Sequence, residues 1–134
     1  MAKIVAIDTN VLLDFRLKRQ PGFDKAQKLI SEALSKKLQI LIPNIVFPEI
    51  EWFLRSYYKQ PKDSIVNFLE DLLVLEGVIL EDKSRMQQSV NIFRESSLKF
   101  TDAIILVQVQ KFKPEEFLPF DENLRKFYHV NLPN

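Results

Sequence analysis

The stretch KIVAIDTNVLLDFRLK, residues 3–18, decides how the rest of the chain is read. Residues 3–7 are a short β-branched run bounded by polar residues, the pattern of a buried strand. Asp8 ends it, and Thr9 and Asn10 can start a helix through residues 11–18. A strand passing directly into a helix opens an α/β unit, and in open sheets of that kind the ligand crevice lies beyond the carboxyl ends of the strands. Asp8 thus stands at a functional address. It is equally well placed as a helix N-cap, for which Asp is among the preferred residues.

The same alternation continues along the chain. After the Pro21-Gly22 break, Ala26, Leu29, Ile30, Ala33 and Leu34 predict a helix over 23–37, and a second strand follows at 39–42, ended by Pro43. Asn44 is a candidate cap for a helix running to about residue 58, with Pro48 tolerable in its first turn. Ile65, Val66, Phe68, Leu69, Leu72 and Leu73 predict a helix over 62–75, stopped near Gly77, and a third strand over 78–80. Helices are expected at 84–93 and 101–112, then a fourth strand at 116–120, a short helix from Asp121 and a terminal strand near His129 and Val130. Strands alternating with helices imply one α/β domain over residues 1–134, its mostly parallel sheet covered on both faces.

Composition narrows the chemistry. Of 134 residues, 46% are hydrophobic and 28% charged, the balance of an ordinary globular chain. The absence of cysteine removes disulfides, thiolate nucleophiles and Cys-based zinc sites, and a single histidine argues against a His-rich site. Gly22 and Gly77 are the only glycines, and neither lies in a phosphate-binding loop. The N-terminus carries no secretory signal pattern and no run reaches membrane-spanning length, so a cytoplasmic protein is expected. A net charge of +1 does not announce a nucleic-acid binder, although setting four acids aside would leave a basic surface.

Those four acids are Asp8, Glu49 in VFPEIEW, Asp102 in FTDAII and Asp121 in LPFDENL, each at the edge of an apolar segment. Carboxylates gathered at one point repel one another, so such a cluster normally persists around a divalent cation. Each alone has a simpler explanation. Asp102 and Asp121 stand near apparent helix starts, where the macrodipole favours a carboxylate. Glu49 and Glu51 both flank the apolar stripe of Ile50, Phe53, Leu54 and Tyr57, and periodicity barely separates them.

The order of the motifs says more: apolar strand-D-T-N, then P-E-I, then F-T-D-A-I-I, then F-D-E-N-L. Over nearly the whole chain this resembles the PIN-domain ribonuclease family, particularly the VapC-type toxins of toxin–antitoxin pairs. The resemblance implies a three-layer α/β/α fold and an endoribonuclease whose Mg²⁺ or Mn²⁺ is bound by Asp8, Glu49, Asp102 and Asp121. Asn10 would orient Asp8 or a water, and Glu51 would be a salt-bridge or surface residue. Arg16, Lys18, Arg19, Arg125 and Lys126 follow the first and fourth motifs and are candidate RNA-phosphate contacts, or else solvated helix faces.

Two departures stand out. Pro119 replaces a hydroxyl residue often found two positions before the fourth acid, and Lys99 stands where some members have a further acid, which favours one metal over two. The implied partners are RNA, a protein antitoxin and a second copy of the chain. Trp52, Phe68 and Leu72 exceed what one side of a small sheet requires, which points to a homodimer, while Trp52, Phe53, Tyr57 and Tyr58 are also candidates to stack on bases. The alternative readings are an RNA-processing or structure-selective nuclease on the same scaffold, or a catalytically weak PIN-like RNA-binding module, which Pro119 and Lys99 would favour.

Overall fold

A computed structural model describes residues 3–118 and 121–131 of the chain, with the backbone alone at 129–131. It divides into two compact units, Met1–Lys83 and Ser84–Asn134.

The first unit contains β1 (Lys3–Ala6), α1 (Thr9–Leu17), α2 (Gly22–Leu34), β2 (Leu38–Leu41), α3 (Val46–Trp52), α4 (Lys62–Val74) and β3 (Val78–Ile79). The strands are parallel in the order β1-β2-β3, with Ala6 opposite Leu41 and Leu41 opposite Ile79. The ladder runs on past the strands through Ile7 N–H to Leu41 O, 3.1 Å, and Ile42 N–H to Ile79 O, 3.0 Å. Parallel strands that follow one another in one direction through right-handed crossovers put their connecting helices on a single face. The packing agrees: Ile40 and Val78 share one apolar cavity of about 10 Å³ with Leu12 of α1, Ala26 of α2 and Leu72 of α4. Fully buried Phe47, Ile50, Leu54, Ile65 and Leu69 fill the unit, each stabilising it by about 1.5–3 kcal/mol through lost apolar surface.

Gly77 turns the chain from α4 into β3 at φ +89°, a conformation that strains other residues, and a Cβ there would meet Ala33 at 3.1 Å. With only two glycines in the chain, Lys18 and Lys113 take the left-handed positions that end α1 and α6 (Phe100–Phe112).

Several expectations are corrected here. β1 is not a buried strand. Among the described residues it lies at the end of a three-stranded sheet, Ile4 is 58% exposed and burial begins only at Ile7. Asn44 does not cap α3: Ile45 precedes the helix without a side-chain cap, and Asn44 Oδ1 is buried with no hydrogen-bond partner among the described residues. Beyond Trp52 the helix continues as a π turn over Phe53–Tyr57. The wider turn rotates the apolar stripe, leaving Phe53 half-buried and Tyr57 exposed. Phe68 and Leu72, expected as surplus apolar residues, are buried within the unit, and only Trp52 of that trio stays exposed.

The second unit is helical among the described residues: α5 (Lys83–Glu95, all but its first residue), α6 and α7 (Glu122–Asn131). Leu98, Leu106, Leu124 and Tyr128 form its apolar cluster, with Phe117 edge-on to Tyr128 at 4.9 Å. Residues 116–118 do not form the start of a fourth strand, and the remainder of that expected strand, 119–120, lies outside the described residues. No terminal strand forms at His129 and Val130, which belong to α7. Leu124 and Tyr128 are one helical turn apart on the buried side, so helical periodicity holds as far as Tyr128. No described helix is long and apolar enough to cross a membrane.

Candidate functional site

The chain leaves β1 through Ile7 and turns into α1 at Asp8, whose extended backbone makes it the N-cap. Its Oδ1 accepts a hydrogen bond from Val11 N–H at 3.3 Å, while the residue remains exposed. The capping explanation of Asp8 is therefore real. Capping uses one oxygen of a carboxylate and leaves the group accessible at the carboxyl end of the strand.

The next residue links this turn to the second acidic motif. Thr9 is buried, and its Oγ1 donates to Glu49 Oε1 at 2.7 Å across 40 positions of sequence. A hydrogen bond to a charged acceptor contributes about 1.5–3 kcal/mol, enough to favour one orientation of the Glu49 side chain. Glu49 projects from the exposed side of α3. The D-T-N and P-E-I motifs are thus joined by a direct contact that neither sequence pattern reveals.

Glu51, two residues on, has a different environment. It is 3% exposed and belongs to the inward face with Phe47, Ile50 and Leu54. Arg55 neutralises it from the next turn, with Nε 2.6 Å from Oε2 and a second bond of 3.3 Å to Oε1. That hydrogen bonding, opposed by burial and aided by the carboxylate's charge, holds the Arg55 guanidinium above its ordinary pKa. The salt-bridge expectation for Glu51 is met, and the surface alternative is not.

In the second unit, Asp102 lies half-buried in the first turn of α6. Asp121 precedes α7, and its Oδ1 accepts from Leu124 N–H at 2.9 Å, an N-cap bond. Lys99 is exposed in extended conformation immediately before α6. Pro119 lies outside the described residues. Within each unit, among the described residues, no three carboxylate or imidazole side chains form a metal-holding group.

The basic candidates divide in the same way. Arg16 is half-buried and fastens α1 to α4: it donates to Ser64 Oγ at 2.5 Å, and its guanidinium lies 5.1 Å from the centre of the Phe68 ring. Arg19 bonds Asp14 at 2.8 Å and the Tyr58 hydroxyl at 2.7 Å. Asn10 is exposed in the first turn of α1, and Arg125 and Lys126 are exposed on α7. Two grooves of the first unit, about 460 and 440 Å³, are lined by residues other than its two candidate acids.

Exposed carboxylate oxygens at a strand end, with no thiolate in the chain, are donors suited to a hard cation such as Mg²⁺ or Mn²⁺. The donor chemistry fits.

Comparison with known proteins bears on the chain as a whole. The chain is similar to a VapC ribonuclease of Aquifex aeolicus (strain VF5), 24% identical over 120 residues that cover 90% of this chain and 89% of that protein. No solved structure matches it. A model of the PIN domain matches residues 5–130, which takes in all four acidic motifs. That span is nearly the whole chain, and the protein belongs to the PIN-domain family, with the α/β/α class of fold and the parallel sheet that go with it.

Proposed function

We propose that this protein is a cytoplasmic, metal-dependent endoribonuclease, the toxin of a toxin–antitoxin pair, built as one domain over residues 1–134. The observation that carries the reading is the Thr9–Glu49 hydrogen bond, which holds the second acidic motif against the turn that presents Asp8. Membership of the PIN family and similarity to a VapC ribonuclease support it.

In this reading Asp8, Glu49, Asp102 and Asp121 are the metal-holding set. Bound by them, Mg²⁺ or Mn²⁺ would supply positive charge to the phosphoryl oxygens and lower the pKa of water. The chain's own contribution is orientation. Thr9 occupies Oε1 of Glu49 and leaves Oε2 as the acceptor for a cation or for a proton from the attacking water. Asp8 accepts its cap bond through Oδ1, and its second oxygen is left for a cation. Hydrolysis forms a P–O bond to the water oxygen and breaks the P–O bond to one ribose oxygen. The water's proton passes to carboxylate or solvent, and the leaving oxygen takes its proton from solvent.

RNA is the substrate, and a protein antitoxin and a second copy of the chain are the partners. Phe112 and Leu118, 79% and 78% exposed, are apolar groups available for burial in such contacts. The purified chain incubated with RNA is expected to cleave it with Mg²⁺ or Mn²⁺ and to stop with chelator. Intact RNA under every metal condition, together with no heat of metal binding, would overturn the assignment.

A further inference from the structure

Glu51 is a buried carboxylate that the proposed chemistry does not use. It is 3% exposed, and an apolar residue in place of such a buried charge commonly leaves a fold as stable or more so. Its position on α3 supplies a reason for it.

Residues 45–54 can form a helix with either of two opposite faces turned inward. Phe47, Ile50 and Leu54 share one face with Glu51, at spacing i, i+3, i+4, i+7. Ile45, Trp52 and Phe53 share the other with Glu49, at spacing i, i+4, i+7, i+8. Each face carries three apolar residues and one carboxylate, so burial of apolar surface alone barely separates them. The start of the helix does not decide either, because Ile45 already has helical backbone and no side chain caps α3.

What differs is the residue one turn after each acid. Arg55 follows Glu51 and bonds it through Nε at 2.6 Å and through Nη2 at 3.3 Å. Phe53 follows Glu49. A carboxylate turned inward with a guanidinium attached is tolerated, whereas one turned inward among apolar residues alone keeps its full desolvation penalty. The observed burial follows that difference. Phe47, Ile50 and Leu54 are fully buried, Ile45 and Trp52 are 65% and 51% exposed, and Glu49 faces outward, bonded to Thr9.

We infer that the Glu51–Arg55 pair selects the rotation of α3 and so positions Glu49 against Thr9. Arg55 is then a positioning residue for the reaction, acting through Glu51 and the helix without touching substrate. The inference rests on the endoribonuclease reading, and it accounts for the exposure of Ile45 and Trp52 as members of the face turned outward.

Trp52, the only tryptophan, reports the rotation, since turning the opposite face inward takes its indole out of water. Arg55→Met leaves an uncompensated carboxylate on either face. In the folded full-length variant, tryptophan emission should shift to the blue relative to wild type at matched concentration. The kcat for RNA cleavage with Mg²⁺ should fall roughly 10- to 100-fold, the effect of a misplaced catalytic group, with little change in KM. Adding Glu51→Leu removes the buried charge and makes the inward face wholly apolar. The Glu51→Leu/Arg55→Met protein should therefore regain wild-type emission and most of the kcat with no ion pair present. Should Arg55→Met not fold, Arg55→Gln, which can still donate a hydrogen bond to Glu51 but lacks the charge, is expected to show the same changes in smaller measure. A folded single variant with wild-type emission and kcat overturns the inference and leaves the nuclease reading intact, even if its melting temperature is lower. So does a double variant as impaired as the single one. No cleavage by the unaltered protein removes both.

Discussion

In the N-terminal unit a hydrogen bond across 40 positions of sequence brings Glu49 to the turn after β1, whereas in the C-terminal unit Asp102 and Asp121 each stand where their own helix begins. The first arrangement exists only when β1, α1 and α3 are assembled. The second needs little more than three or four consecutive residues. An acid at a helix start is explained by local stabilisation, but a glutamate on an exposed helix face, tied back to a strand end by a buried threonine, has no such local reason to be there.

The largest expected effect tests whether the local role of Asp8 exhausts its function. Asn caps helices as well as Asp does, so Asp8→Asn preserves the cap and removes only the charge. RNA cleavage should fall by roughly 10²-fold or more, as expected from several kcal/mol of lost charge stabilisation, while the melting temperature stays close to wild type. Wild-type cleavage by this variant would reduce Asp8 to a cap and make the two units alike.

The next effect asks whether the units fold together. Ile50 and Leu106 are each fully buried, one in each unit, and truncation of either to alanine should cost about 2–5 kcal/mol. If residues 1–134 are one cooperative domain, both variants lower a single calorimetric transition. Two separable transitions, each moved by one variant only, would show that the units are thermodynamically independent.

A smaller effect sharpens the contrast between Glu49 and Glu51. Arg55→Met leaves the buried Glu51 carboxylate without its partner and should destabilise by about 2 kcal/mol in denaturant titration, less than a wholly buried pair because Arg55 is half exposed. Glu49→Gln should instead leave stability nearly unchanged and lower cleavage. If Glu51→Gln proved the more damaging to cleavage, the face of α3 assigned to chemistry would be the wrong one.

The smallest effect concerns the second unit alone. Asp121→Ala removes the bond from Leu124 N–H and should cost about 1 kcal/mol, whereas Asp121→Asn should cost little. Equal stabilities for the two variants would show that capping contributes nothing at this position, and that the carboxylate is there for another reason.

What the sequence by itself determined depends on near neighbours. The switch from strand to helix at Asp8, the stop at Gly77 and the buried positions of α4 follow from short-range sterics and helical periodicity, and the structure reproduces them. Reading a terminal strand near His129 and Val130 failed for the same reason that short apolar runs are ambiguous: α7 runs through both residues, and the cluster that Leu124 and Tyr128 enter decides in favour of a helix. Other features were settled only by tertiary structure. Residues two apart on a helix point in nearly opposite directions, about 200° by the helical repeat, yet which of Glu49 and Glu51 turns inward depends on where the core lies. Packing put Glu51 inside with Arg55 and left Glu49 outside within reach of Thr9. Arg16 could not be recognised from the chain as the tie between α1 and α4, because Ser64 and Phe68 come near it only after the crossovers are made. Local chemistry chose the elements. Burial, which depends on every element at once, chose which side chains remained available for function.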